Sequence, residues 1–228
     1  MPGGPAISIK RAARLKTKKY REAERLFLAE GTAVLTEAPA TPLHVFDREE
    51  QILRVSTLES PAGPVGVFPF LDVTVTELLS RAQRILLLHG VQDPGNVGTA
   101  IRSAHAFGAG VALSRGSADL YNPKTVRASM GSIFHAPVTR ELEAVTFLDA
   151  ASGAGFAPVA AVPDARETPV SLPAGRVVVC IGAEGSGLSE EVVKACQFRV
   201  GIPSLAPSLN ASVAASILLY EAYSRVLG

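Results

Sequence analysis

The chain of 228 residues has no tryptophan, two methionines and two cysteines, and aromatic residues make up only 6% of it. So few cysteines exclude a disulfide scaffold; Cys180 and Cys196 both lie in apolar segments and read as buried, reduced thiols. The four histidines (His44, His89, His105 and His135) share no metal-ligand or triad spacing, so no metal site is expected. No apolar run approaches the roughly 20 residues that a membrane span needs, and no secretory pattern opens the sequence, which points to a cytoplasmic location with no membrane partner. Neither sign of charge dominates, with 22 basic against 21 acidic residues and a formal net charge of +1. With 47% hydrophobic residues, what remains is a globular chain long enough for one large domain or two small ones.

The small net charge hides an uneven distribution. Residues 10–25 carry eight positive side chains (Lys10, Arg11, Arg14, Lys16, Lys18, Lys19, Arg21 and Arg25) against Glu22 and Glu24, a local balance of +6 that leaves the rest of the chain at −5. A block of this kind is the electrostatic footprint of a phosphate-backbone contact, and it is equally the look of a solvated helix face.

Periodicity divides the chain near residue 80. Ile7 to Ala29 reads as a basic segment running into a helix, with Leu26, Phe27 and Leu28 at its apolar end and Gly31 as its stop. Ala33–Ala38 is a second short helix or strand; Leu43–Phe46 and Val65–Phe68 read as strands, and Leu71–Arg81 as a linker. From Ile85 onward apolar strands alternate with helical stretches, the pattern of a parallel α/β sheet. The strands expected are Ile85–Leu88, Val111–Leu113, Ser132–Val138, Phe156–Val162 and Val177–Ile181. Helices are expected from Asn96 as cap to about Gly108, from Asn122-Pro123 to Gly131, over Ala144–Ala151, and from Ser189. In the first of these Val97, Ala100, Ile101, Ala104 and Phe107 share one face, and Arg102 falls on the other side.

Three strand-to-helix junctions carry polar residues in recurring places. The first runs Leu86-Leu87-Leu88-His89-Gly90-Val91-Gln92-Asp93-Pro94-Gly95-Asn96-Val97-Gly98 and on to Arg102, and the second runs Val177 to Ser189 through Gly182-Ala183-Glu184-Gly185-Ser186-Gly187-Leu188. The third, Arg199 to Ala214, passes Ile202-Pro203 and Pro207 before a last helix for which Asn210 or Ser208 is the expected cap. A loop of that type leaves backbone N–H and C=O groups open beside a helix N-terminus, which suits a small polar ligand. Rival nucleotide motifs fail: Gly95 is followed by Asn96-Val97 and not by Lys-Ser/Thr, and no Gly-x-Gly-x-x-Gly follows the first strand.

Taken in order, Asn-x-Gly-x-x-x-Arg, Gly-x-Glu-Gly-x-Gly-Leu and Ile-Pro…Ser-Leu-Asn-x-Ser-Val-Ala resemble the three motifs of the SpoU/TrmH branch of the SPOUT RNA methyltransferases. One departure stands out: the loop after Ile202-Pro203 reads Ser204-Leu205-Ala206-Pro207, where that family usually has Met and Gly. The resemblance implies a small α/β/α substrate-binding domain (residues 1–75), with Lys18-Lys19-Tyr20-Arg21 and Leu26 to Gly31 matching its opening motif. A catalytic domain (residues 81–228) would follow, built on a parallel sheet with a C-terminal trefoil knot, a topology that periodicity alone would never propose. It further implies S-adenosylmethionine as cofactor, an RNA ribose 2′-hydroxyl as acceptor and a homodimer with the active site near its interface. Ribosomal RNA, 23S foremost, is the expected substrate, with transfer RNA or a non-catalytic RNA-binding role on the same scaffold as alternatives.

The site residues follow from the motif matches. Asn96, Arg102, Glu184, Ser208 and Asn210 match the family's functional positions, and Gly182, Ile202 and Leu209 its cofactor-reading backbone. Lys18, Lys19, Arg21, Lys124 and Arg127 are the expected RNA contacts. Each has a plainer reading beside it: Asn96 and Asn210 as helix caps, Glu184 as a loop organiser, Arg102, Lys124 and Arg127 as solvated charges. Arginine stays protonated in proteins, so Arg102 suits gripping a phosphate and polarising the hydroxyl, not acting as base.

Overall fold

A computed structural model describes residues 7–61 and 63–225; residues 1–6, 62 and 226–228 of the two expected domain spans lie outside the described residues. The basic segment forms two short helices, α1 (Ile9–Arg14) and α2 (Lys18–Glu24). Leu26, Phe27 and Leu28 do not end a helix, contrary to the periodicity: Arg25 takes a left-handed conformation (φ 54°), stops α2 and turns the chain into strand β1 (Leu26–Glu30). Then come α3 (Thr32–Thr36), β2 (His44–Phe46), α4 (Glu49–Val55) and β3 (Val65–Pro69), and the three strands form an antiparallel sheet in the order β1-β3-β2.

All of β1 is buried because the sheet is covered on both sides. Leu26 and Leu28 pack with Ala12, Leu15 and Val55 under α1 and α4. Phe27, Ala29 and Phe68 point the other way, into the same core as Leu86, Ile101 and Tyr121 of the following sheet. The small sheet therefore borrows its second layer from the body behind it, and the hydrophobic core runs unbroken from one to the other.

The expected linker is shorter than the sequence suggests, since Val75–Arg81 is a helix, α5, opened by a reciprocal capping box between Thr74 and Glu77. What precedes it is anchored by the buried Tyr121, whose hydroxyl accepts from the backbone N–H groups of Leu71 (2.5 Å) and Asp72 (2.8 Å) and donates to the Asp72 carboxylate (2.7 Å). Burial works against the Asp72 anion, yet the Tyr121 hydrogen bond and the Arg140 and Arg25 guanidinium groups outweigh it and hold its pKa below the ordinary value.

The second sheet is built from β4 (Arg84–His89), β5 (Ala109–Ser114), β6 (Val138–Leu142), β7 (Ala157–Ala161), β8 (Val177–Gly182) and β9 (Phe198–Val200). Every pairing in it is parallel, and its order is β6-β5-β4-β8-β7-β9. The helices are α6 (Pro94–Ala106), α7 (Pro123–Ala128), α8 (Ala144–Gly153), α9 (Glu190–Ala195) and α10 (Ala211–Ser224). The strand expected at Ser132–Val138 begins only at Val138. Before it, Met130 and Gly131 both take positive φ (48° and 88°), and Ser132–Phe134 is a single tight helical turn.

The chain reverses its direction of growth between β4 and β8, so the ends His89 and Gly182 lie side by side at the switch point, where open α/β sheets bind ligands. After the edge strand β9 the chain turns inward. Gly201 sits against the carbonyl oxygens of Val162, Pro163 and Ala165, each 3.1–3.3 Å from where a Cβ would stand, and donates its N–H to Glu167 (2.8 Å). The last helix, α10, then lies over β8, β4 and α6, with Arg225 bonded back to the Leu172 carbonyl (2.7 Å). Both ends of this C-terminal stretch are thus held against the 162–172 segment.

Candidate active site

The first motif enters α6 three residues earlier than its sequence suggests. Asp93, not Asn96, is the N-cap: its Oδ1 accepts the Asn96 N–H at 3.0 Å, and Pro94 takes the first helical position, where no N–H is needed. The Asp93 carboxyl is held below its usual range, first by the Lys124 ammonium (Oδ2 to Nζ 2.7 Å) and then by the Asn96 N–H. Freed from capping, the Asn96 side chain can turn outward. Gly98 lets α6 approach α7 closely, because a Cβ there would stand 2.4 Å from the Thr125 carbonyl.

In the second motif the loop after β8 curls back over its own strand end. A Cβ on Gly182 would lie 2.0–2.3 Å from the backbone of Gly187 and Leu188, so glycine is needed there by the loop itself, before any ligand approaches. A bond from the Gly187 N–H to the Ala183 carbonyl (2.9 Å) closes the loop and leaves Glu184 exposed at its tip. In the third motif Asn210 is the cap expected of it, its Oδ1 accepting from the N–H groups of Ser212 (3.0 Å) and Val213 (3.3 Å).

These segments, up to 114 residues apart in sequence, meet through their side chains. Asn210 Nδ2 donates to Asn96 Oδ1 at 2.9 Å, and Asn96 Nδ2 donates to Glu184 Oε1. Ser212 joins them, its Oγ 2.7 Å from Asn210 Oδ1 and 3.4 Å from Asn96 Oδ1. Sequence reasoning missed Ser212 as a member of this junction. The available signal was its place two residues after a capping asparagine.

The other expected residues are placed less closely. Ser208 is exposed, and Leu209 and Ile202 are half-buried, the latter against the main core. Among the described residues no backbone bond is made by the N–H groups of Ile202, Ser208 or Leu209. Open backbone groups beside a helix N-terminus fit a small polar ligand. Arg102 is exposed on α6, six residues from Asn96 and so about 120° away around the helix, and no bond joins it to the junction.

The expected RNA contacts divide. Lys19 is exposed, and Lys18 is a half-exposed partner of Glu141 at 3.5 Å. Lys124 holds Asp93, with its side chain still more than half exposed. Arg127 bonds Thr57 (2.7 Å) and lies 3.9 Å from Glu30, so it seals α7 against the first sheet. Arg21 is the clear correction: its side chain is 3% exposed, its Nη1 donates to the Leu15 and Lys16 carbonyls (each 2.9 Å), and its Nη2 meets Asp119 Oδ2 at 2.5 Å. It ties the N-terminal helices to the larger sheet's body through Asp119 and is too buried to serve as a phosphate contact.

A model of the SpoU rRNA methylase family matches residues 83–220, more than half of the chain and all three junctions. The chain belongs to the SpoU rRNA methylase family. It is 30% identical to the Bacillus subtilis 23S rRNA (guanosine(2553)-2′-O)-methyltransferase RlmP over 91% of this chain and 92% of that one. The AdoMet-bound rRNA methyltransferase of Sinorhizobium meliloti superposes with a TM-score of 0.86 at 27% identity, covering 96% of this chain and 95% of its own. The SpoU methyltransferase AviRb of Streptomyces viridochromogenes, in complex with AdoMet, gives 0.84 at 25% identity over 98% and 99%. These matches cover 91–98% of the chain, enough to take in the antiparallel sheet near its start. Among the described residues no helix is long and apolar enough to cross a membrane, and no cluster of metal-ligating side chains occurs.

Proposed function

We propose that this chain is an S-adenosylmethionine-dependent methyltransferase acting on the ribose 2′-hydroxyl of RNA, with 23S ribosomal RNA as its substrate. The observation that carries the reading is the hydrogen-bonded junction of Asn96, Glu184 and Asn210, three polar side chains from three motifs gathered at the switch point of the sheet. The B. subtilis relative, named for 2′-O-methylation of 23S rRNA and similar over nine-tenths of both chains, supports the choice of substrate.

On this reading the backbone at Gly182, Ile202 and Leu209 would hold the cofactor, whose sulfonium would give its methyl group to the ribose oxygen and become a neutral thioether, while the hydroxyl proton passes to a carboxylate or to water. No general acid is therefore needed, and the protein's task is to align an oxygen for in-line attack. Ser208, Asn96, Glu184 and Asn210 surround the acceptor, and Arg102 grips a neighbouring phosphate. Residues 1–75 serve as the substrate-holding part, through the exposed Lys10, Arg14, Lys16, Lys18, Lys19 and Arg25. A second copy of the chain is placed on α10, where Val213, Ile217 and Tyr220 recur at helical spacing and lie 37–58% exposed. Arg102, turned away from the junction within one copy, is completed as a site residue by that pairing.

The test is a map of 2′-O-methyl groups in ribosomal and transfer RNA from cells with and without the gene, followed by methylation of the unmodified RNA by the purified protein. Loss of one 23S site that the protein restores is expected. Restoration of a transfer RNA site would move the substrate, and binding of RNA with no methyl transfer would overturn the catalytic reading.

A further inference from the structure

The amides at the junction have a direction. An asparagine side chain has one end that accepts and one that donates, and which end points where is commonly a matter of assignment. Here chemistry decides it. The backbone N–H groups of Ser212 and Val213 only donate, so the end of Asn210 that caps α10 must be its oxygen. Its amino group then faces Asn96 and must meet the oxygen of that amide, which leaves the Asn96 amino group for Glu184 Oε1. Every bond in the row runs one way, from the N-terminus of α10 towards Glu184.

Ser212 stands at the head of this row. It is 6% exposed, and its hydroxyl, 2.7 Å from Asn210 Oδ1, adds a donor to the oxygen that the helix N-terminus already engages. The spacing of the two helices has other supports as well. Ser103 Oγ and Ser216 Oγ join α6 to α10 at 2.6 Å one to two turns further along, and the buried Ala100, Ala104 and Ala215 belong to the core between them.

We propose that Ser212 is a positioning residue: with the N-terminus of α10 it sets the sense of an amide relay that ends on Glu184 Oε1 and leaves Oε2 as the acceptor for the 2′-hydroxyl of the substrate RNA. Among the described residues Oε2 takes no hydrogen bond. The proposal rests on the methyltransferase reading above. Reversing either amide would bring two oxygens or two amino groups face to face, so the relay has one stable sense. It presents Glu184 with a donor on one oxygen only. An aspartate at position 210 would keep the cap, because a carboxylate accepts the same N–H groups at the positive end of a helix, but it has nothing to donate to Asn96.

The experiment is steady-state methylation by the full chain, with labelled S-adenosylmethionine and the RNA identified by mapping, comparing wild type, Ser212→Ala, Ser212→Thr and Asn210→Asp, each with a melting curve. Ser212→Ala should lower kcat by roughly 5–10-fold, the worth of one hydrogen bond at the transition state, with both KM values unchanged and the Tm lowered by no more than about 5 °C. Ser212→Thr restores the hydroxyl and should restore kcat. Asn210→Asp should keep or raise the Tm while kcat falls by about 10-fold or more. Wild-type kcat in a natively folded Ser212→Ala, or in Asn210→Asp, overturns the proposal alone. An inactive wild type overturns the functional reading and the proposal together. Where Ser212→Ala melts early, Asn210→Asp, which keeps the cap, decides between relay and plain packing.

Discussion

Replacing Arg21 by alanine separates the two roles that its place in a basic block and its place in the structure assign to it. The guanidinium makes an ion pair with Asp119 and hydrogen bonds to two carbonyls, with 3% and 8% of the two charged side chains exposed. Truncation leaves the Asp119 carboxylate buried, with the Tyr121 N–H at 3.0 Å among its remaining contacts, and two carbonyl oxygens short of a donor. Breaking a buried pair from one side costs about 3–5 kcal/mol, a large share of the roughly 5–15 kcal/mol that holds a domain folded. For a chain of this length that is a fall in Tm of about 6–20 °C. Urea or thermal unfolding of Arg21→Ala, Asp119→Ala and the double variant would measure it, and the pair should couple by about 1–3 kcal/mol. RNA affinity, measured well below the lowered Tm, should be unchanged. A variant that keeps the native Tm but loses RNA binding, with a shallower salt dependence, would refute this account and return Arg21 to the phosphate backbone.

Arg102→Ala removes an exposed side chain, so the Tm should hold while single-turnover methylation falls by roughly 100-fold, with Arg102→Lys rescuing in part; full activity in the folded alanine variant would make Arg102 an ordinary surface charge. Ile217→Asp places a charge in the exposed stripe of α10 and should shift a dimer to monomer in sedimentation, whereas a wild type that already runs as a monomer would remove the paired site. His105 stacks on His135 with ring centroids 4.6 Å apart, and its pKa lies below the ordinary 6.5, through partial burial first and the His135 charge second. A base with a depressed pKa in the folded state favours unfolding as the unfolded chain takes up its proton. The Tm should therefore fall as pH drops below about 6.5, and His105→Gln should flatten that fall; an equal pH dependence in both proteins would count against it.

The parallel sheet and the caps at Asn122, Ser189 and Asn210 were legible because each rests on neighbours in sequence: an apolar run, a capping side chain, a glycine or proline stop. Arg25 was not, since nothing local marks a non-glycine residue that takes positive φ, and with it went the reading of Leu26–Leu28 as the end of a helix. At the start of α6 both Asp93 and Asn96 have side chains able to cap, and only the structure separates them: Asp93 caps and Pro94 takes the first helical position. The contacts of Asn96 with Glu184 and Asn210 bridge 88 and 114 residues, and no local pattern foretells a pairing at that range; only the likeness to a family placed the three together. Arg21 failed for the same reason in reverse. Its partner Asp119 lies 98 residues away, so the sequence displays its charge and hides its burial.

The unbroken core between the two sheets bears on how such a protein would choose among RNAs. Phe27 and Phe68 pack in one mass with Tyr121 and Ile101, and Arg21, Arg127 and Arg140 clamp the seam with ion pairs to Asp119, Glu30 and Glu22. On the proposed reading, a substrate-holding part fixed in this way would not be a tethered hand that closes on whatever it meets; it would be one arm of a caliper whose gap is set when the chain folds. An RNA that touches the exposed lysines of α1 and α2 and also offers a ribose at the Asn96–Glu184–Asn210 junction must span that gap with its own shape. Base identity would then matter less than the length and stiffness of the stem or loop between the two points.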